Sequence, residues 1–442
     1  MKGLNEQFMK TYAIREDTPC YEIELDAREL LSSRRFDFLA KYAYILFKEQ
    51  NYASDYAEKV YYQHLDILTQ GTFREFGDAE KVSYEKFIMI FHQLMESIRE
   101  QGFDSDQSKV PLSKDLVPLN GAHRISCCLY YQKKVHALCF PELNSVNLNY
   151  EFFRRKGMPE TQLDFMASQY SAIKPDSLYG CCIWPKASAC KSIQDILHYF
   201  EAFGDIVYCK SIAFTYQGLM NLMIELYGKE PWTGGYEHMY GGMHQKVEKC
   251  FHEHAPCYFV LFEKNSSETI RDIKEQIRSN FDLGTNSVHI TDDERECSRL
   301  CELLLKEQSI HFLNHGKFLK KHTLEQMHKE WKGQLMDASA TLYLYGIVAT
   351  ETLRACEDEI SEDVLHDPDA TFLYQGMRLM SLSFIIKQYP QYEERARQLW
   401  QREKQKKPKK MFLKKLYGKI DYSVFILLNR MHLYDKVWKI KK

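Results

Sequence analysis

The chain has 442 residues, 45% of them hydrophobic and 27% charged, which excludes a disordered or collagen-like polypeptide and leaves apolar surface for two or three domains. The formal net charge of −2 hides a division: residues 401–442 carry 14 lysines and arginines against Glu403, Asp421 and Asp435, so the first 400 residues sum to −13. Thirteen scattered cysteines without a Cys-x-x-Cys pair argue against a disulfide framework or zinc ribbon, and the lack of an apolar leader or of a run near 18 apolar residues adds to the expectation of a cytoplasmic protein.

Residues 22–31 read as a short strand and turn. Helical spacing then begins at Phe36, with Phe38, Leu39, Tyr42, Ile45 and Leu46 on one face, and continues in a second helix through Tyr56, Val60, His64, Leu65 and Ile67. A third helix is expected from Ser83 to Glu100, with Phe87, Ile88, Ile90, Phe91, Leu94 and Ile98 inward and Gly102 closing it. Val110–Leu112 and Val117–Leu119, either side of Lys114-Asp115, read as a hairpin-like pair. Ile125–Tyr131 reads as a helix and Val135–Phe140 as a strand. After a linker near 141–150, an α/β pattern follows, with strands near Ile206–Tyr208 and Cys257–Phe262. Its helices are expected near Ile193–Phe203, Gln217–Tyr227, Thr269–Phe281 and Glu294–Lys306. The expected architecture is an α+β or α/β multidomain protein. Its parts are a first domain over 1–145, an α/β domain with a Gly-rich loop over 146–335, and a mostly helical region with a basic tail over 336–442.

The residues that carry chemistry begin at Gly102-Phe103-Asp104, Ser108 and Val110-Pro111-Leu112, and end at Asn120-Gly121-Ala122-His123-Arg124. Gly121 permits positive φ and close backbone approach to a ligand. The amides that follow open a helix, whose N-terminus attracts anions. Arg124 offers a forked donor to phosphate oxygens. His123 can donate to a phosphoryl oxygen or move a proton near neutral pH, and Asn120 is placed to cap the helix. Upstream, Ser33-Arg34-Arg35-Phe36-Asp37 with Lys41 adds positive charge, so Arg35 and Lys41 are further phosphate candidates. Asp37 and Asp104 are candidates for a general base or a metal carboxylate.

This run of about 25 residues resembles the ParB/sulfiredoxin superfamily, in which a strand leads into a Gly-x-x-Arg turn at the start of a helix. The resemblance implies nucleotide binding (ATP, ADP or CTP with Mg²⁺) and is nearest to the family's free serine kinases. The family's partition proteins favour Gly-Glu-Arg-Arg at this turn. Here Ala122-His123 replaces the glutamate and no DNA-reading helix-turn-helix follows, so no nucleic-acid partner is expected. The expected activity is kinase-like phosphotransfer from a nucleotide to a small phosphorylated or hydroxylated metabolite.

A second conspicuous stretch runs from Trp232 to Lys246, where Gly234, Gly235, Gly241 and Gly242 precede a helix holding His244 and Lys246. Such a loop can cradle phosphate, with Lys246 as a point charge; it lacks the Walker A lysine–serine/threonine element. His238, His244, His252 and His254 with Glu248 match no metal-ligand spacing, and no metal site is expected there. Ser287–Glu294 reads as a strand entering a helix through a Thr291-x-x-Glu294 capping box, with His289 and Asp292 at the strand's carboxyl end, where ligands gather in α/β sheets. This stretch, with Ser309–Asn314, resembles segments of multidomain proteins of bacterial surface-polysaccharide clusters, which implies a place in that synthesis.

Leu344-Tyr345-Gly346-Ile347 resembles the opening of a nucleotidyltransferase signature, but no Asp-x-Asp follows, so such a fold is expected to be inactive or absent. Glu357-Asp358-Glu359 reads as a solvated face. The tail alternates lysines with Met411, Phe412, Leu413, Leu416 and Tyr417, the pattern of an amphipathic element on an anionic membrane, which implies peripheral association at the inner membrane face. Two other functions fit this sequence: a nucleotide-gated binding protein without turnover, and a glycosyl- or glycerophosphate-transferase at the membrane face.

Overall fold

A computed structural model describes residues 3–75, 80–106, 108–316, 335–336, 338–345 and 363–401, with 325, 327 and 329. The expectations for 346–362 and for the basic tail after Gln401 lie outside the described residues. The fold is mixed α and β, with three small sheets among the described residues, and no described helix is long and apolar enough to cross a membrane.

The chain divides into two compact units. In the first, the strand Tyr21–Asp26 pairs antiparallel with Lys134–Cys139, which pairs on its other side, in parallel, with Val110–Leu112. The helix Asp37–Glu49 packs against the helices Tyr56–Thr69 and Ala122–Tyr131, and Tyr84–Gln101 packs on the last of these. Ser83 starts Tyr84–Gln101 by accepting from the Lys86 amide, and Gly102 ends it at positive φ. Its buried stripe is Phe87, Phe91, Met95 and Ile98. Ile88, Ile90 and Leu94, expected inward, flank that stripe half-buried. A helix covers only about 100° with its apolar face.

The first unit runs past the boundary expected at 145, to Leu178, and takes in 205–208 and 262–264. Packing explains this. The Phe36 amide donates to the Leu148 carbonyl, and the Leu148 amide donates to the Arg34 carbonyl. The ring of Phe36 stacks on Tyr208 at 6.2 Å and meets Tyr150 edge-on at 6.5 Å. Tyr208 donates to Asp164 at 2.9 Å, and Glu263 accepts from Tyr170 and Lys174.

The second unit takes in 179–204, 209–261 and everything described after 264. A four-stranded sheet has the order Gly204–Ile212, Cys257–Lys264, Leu178–Ile183, Val288–Ile290, the last two antiparallel with Cys182 opposite His289. The helix Tyr216–Tyr227 packs on Glu307–His315. Asn314 reaches across to accept from the Thr215 amide at 2.8 Å. A Cβ at Gly218 would lie 2.0 Å from the Asn314 oxygen, so only glycine fits there. The region expected to be mostly helical after 336 also holds a sheet. Met377–Met380 pairs in parallel with Leu335–Met336 and antiparallel with Thr371–Tyr374, through a turn in which Gln375 and Gly376 both have positive φ.

Candidate functional site

The Asn120–Arg124 turn forms where the short parallel strand hands over to a helix. Ser113 donates its amide to the Val117 carbonyl at 2.9 Å and Leu119 donates to Pro111 at 2.8 Å, the hairpin-like return read from the sequence. Gly121 takes φ +86° as the first residue outside the Ala122–Tyr131 helix. A Cβ there would come within 3.0 Å of the Arg124 guanidinium, so glycine is required both by the backbone and by the arginine folded over it. Asn120 does not cap the helix as expected. Its side-chain oxygen accepts from the neighbouring Gly121 amide at 2.6 Å, and no side chain caps the helix. The amides of Ala122, His123 and Arg124 therefore open the helix with no side-chain acceptor. Among the described residues, Arg124 meets no carboxylate within ion-pair distance. Burial lowers its pKa, with Cys128 and Glu75 acting the other way.

Arg35, Asp37 and Lys41 do not line this turn with open donors. They form a buried ionic cluster, at 3%, 1% and 2% exposure. Arg35 holds both Asp37 oxygens, at 2.8 and 2.9 Å, and donates its remaining arm to the Pro118 carbonyl. Lys41 lies 3.4 Å from the same carboxylate and 3.2 Å from His64 Nε2. Burial alone would raise the Asp37 pKa. Arg35 and Lys41 outweigh burial and hold the carboxyl far below its usual range. Lys41 is pushed down to about 8 by burial, which the Asp37 charge only partly opposes. His64 is fully buried and held neutral by burial and by Lys41. Two cations against one carboxylate leave the cluster one positive charge in excess. Asp37, expected as a base or metal carboxylate, is committed to Arg35. Arg35, expected as a phosphate contact, reaches the Pro118 carbonyl, and Lys41, expected likewise, turns to Asp37 and His64.

His123 faces Tyr61, a residue that sequence reasoning passed over. The Tyr61 hydroxyl donates to His123 Nε2 at 2.8 Å, and Phe91 meets the imidazole edge-on at 4.7 Å. Burial drives the His123 pKa well down and that of Tyr61 well up, so both stay neutral near pH 7. Tyr61 also stacks on His64, which joins the helix start to the buried cluster. The available signal was the spacing of Tyr61 and His64, one turn apart on an apolar face. Asp104 is exposed and closes its own turn, its carboxylate accepting from the Asp106 amide at 3.0 Å. Nothing in that contact ties it to Arg124.

In the second unit, Gly241 and Gly242 are not loop residues. They form the buried first turn of the helix Gly241–Cys250. His244 stacks on Tyr216, whose hydroxyl lies 3.3 Å from Nδ1. Lys246 and His289 both meet Tyr227: the lysine lies 6.0 Å from its ring centre, and the His289 Nδ1 accepts from its hydroxyl at 2.8 Å. Asp292 pairs with Lys274. The expected capping box is displaced by two residues. Asp293 caps the helix Glu294–Leu304 by accepting from the Glu296 amide, while the Thr291 hydroxyl accepts from the Gly180 amide. No group of three or more metal-binding side chains occurs among the described residues. No model of a known protein family matches the chain, and no curated protein matches it by sequence.

Proposed function

We propose that the first unit binds the phosphates of a nucleotide at the Gly121–Arg124 turn, and that the protein is a kinase-like phosphotransfer enzyme acting on a small metabolite. One observation carries this reading. An uncapped helix start at a positive-φ glycine lies beside an arginine whose charge meets no carboxylate among the described residues. Uncapped amides at a helix start and a forked cation are the groups that bind phosphate oxygens. His123, held neutral by burial, lies in the first turn of the same helix with Nε2 engaged by Tyr61. A Mg²⁺ ion accompanying the nucleotide would screen phosphate charge and would rest mainly on phosphate oxygens. Asp37 does not fit as its carboxylate, since both its oxygens accept from Arg35.

Isothermal titration with ATP, ADP and CTP tests the reading. Binding of at least one nucleotide, weakened at least about tenfold in Arg124→Ala, is expected. No binding, or an unchanged affinity in that variant, overturns it. The engagement of Asp37 also favours a second reading, nucleotide-gated binding without turnover. Under that reading the nucleotide would bind at the same turn, and no phosphate would leave it in the presence of hydroxylated acceptors.

A further inference from the structure

The second unit gathers a different set of donors. The helices Gly241–Cys250 and Ile270–Ser279 both pack against the turn Gly284–Asn286, and each carries a cation, Lys246 and Arg278. Lys246 donates to the Thr285 carbonyl at 2.6 Å and sits over the Tyr227 ring. Arg278 has its Nε fully buried with no acceptor. Among the described residues neither cation meets a carboxylate within ion-pair distance. Burial, and then the charges of Arg278 and Lys249, hold the Lys246 ammonium below its ordinary pKa, with Cys250 opposing them. The Arg278 charge is likewise felt at Tyr227.

A histidine also meets the tyrosine. The Tyr227 hydroxyl lies 2.8 Å from His289 Nδ1. His289 is 7% exposed, and its Nε2 has no aligned acceptor. Glu296 Oε1 stands 3.2 Å away. Bringing like charges together in a half-buried place raises the free energy of the unit when no counter-charge is present. An anion between them would reverse that sign.

We propose that Lys246, over the Tyr227 ring, and Arg278, carried by the two helices that pack on the Gly284–Asn286 turn, form a binding site for a phosphate group. The forked guanidinium and the point charge of the lysine suit a tetrahedral dianion with several acceptor oxygens. The chemical class expected is therefore a phosphomonoester or inorganic phosphate. This site is independent of the Gly121–Arg124 turn and stands whether or not that turn binds a nucleotide. Asp292, read from the sequence as part of a second site, pairs with Lys274.

The test uses the full chain carrying Arg124→Ala, so that the first unit's turn contributes no arginine. The probe is inorganic phosphate, followed by calorimetry and by thermal unfolding. Saturable binding and a rising melting temperature are expected. Adding Lys246→Gln with Arg278→Gln should weaken binding at least about tenfold and remove the phosphate-dependent rise. Without phosphate, that protein should melt no lower than its parent, because the repulsion is gone. Arg278→Lys keeps the charge but loses the fork and should fall between the two. If the protein with both glutamines fails to unfold cooperatively, Lys246→Gln alone is judged by the same binding criterion. No saturable binding to the Arg124→Ala protein, or equal binding after removal of the second-unit cations, overturns the proposal.

Discussion

Arg35 grips Asp37 through both carboxylate oxygens while its third donor holds the Pro118 carbonyl, so one buried side chain ties the start of the first long helix to the loop that leads into Gly121. The pair spans only two positions in sequence, yet it fixes a loop more than 80 residues away.

Removing the carboxylate leaves two buried cations facing each other. Asp37→Asn is expected to cost about 3–5 kcal/mol of unfolding free energy, measured by urea denaturation at pH 7. A loss under about 1 kcal/mol would mean that the pair behaves like a surface ion pair. The Asp37 pKa is depressed in the folded state, so its stabilisation is present above the ordinary carboxylate pKa and is lost as pH falls through the depressed value. The wild type should therefore lose stability on acidification more steeply than Asp37→Asn.

Lys41 works in the opposite direction. Its folded pKa is about 8 against 10.5 for a free lysine, so the unfolded chain binds the proton more tightly between those values. Stability contributed at this residue rises with pH from about 8 towards 10.5. The expected gain is about 3 kcal/mol, and Lys41→Met should flatten it. Parallel stability–pH curves for the two proteins above pH 8 would refute this account.

Gly121→Ala places a methyl group against the Arg124 guanidinium at a φ of +86°. A stability loss of about 1–2 kcal/mol is expected, together with weaker nucleotide binding, read by thermal unfolding and calorimetry on the same samples. Binding at wild-type strength would separate the turn from the ligand.

The hydroxyl of Tyr61 lies 2.8 Å from His123 Nε2, where its proton would stabilise the neutral imidazole. Tyr61→Phe should therefore move the imidazole pKa upwards, towards its ordinary value, in an NMR titration. Burial, the larger cause of the depression, remains, so the recovery should be partial. An unmoved or lower titration midpoint would show that the hydrogen bond does not set the protonation state.

Local signals carried the helices and the turn. Apolar spacing marked the helices through 36–49 and 56–69, Ser83 and Gly102 bracketed the next, and Gly121 announced its positive φ. What was hidden depends on distant contacts. Arg35, Asp37 and Lys41 look like a solvated helix start until Pro118 and Leu148 close over them. Thr291 and Asp293 each precede a glutamate by three residues, and both spell a capping box. Asp293 becomes the cap because the sheet claims Thr291 through Gly180. The hairpin at 371–380 was missed because its strands are four residues each and its Gln375-Gly376 turn is a weaker signal than Asn-Gly. Tyr227 joins Lys246 to His289 only because strand and helix meet there.

The first unit is stitched from three separate stretches of chain, since Tyr208 stacks on Phe36 and Glu263 receives Tyr170 and Lys174. During vectorial synthesis it cannot finish when residue 178 leaves the ribosome. Its last pieces arrive only with residue 264, after much of the second unit's chain has already emerged. Cotranslational maturation of the two units is thus interleaved, and cutting the gene at either expected boundary would deliver a fragment with an unfinished interior.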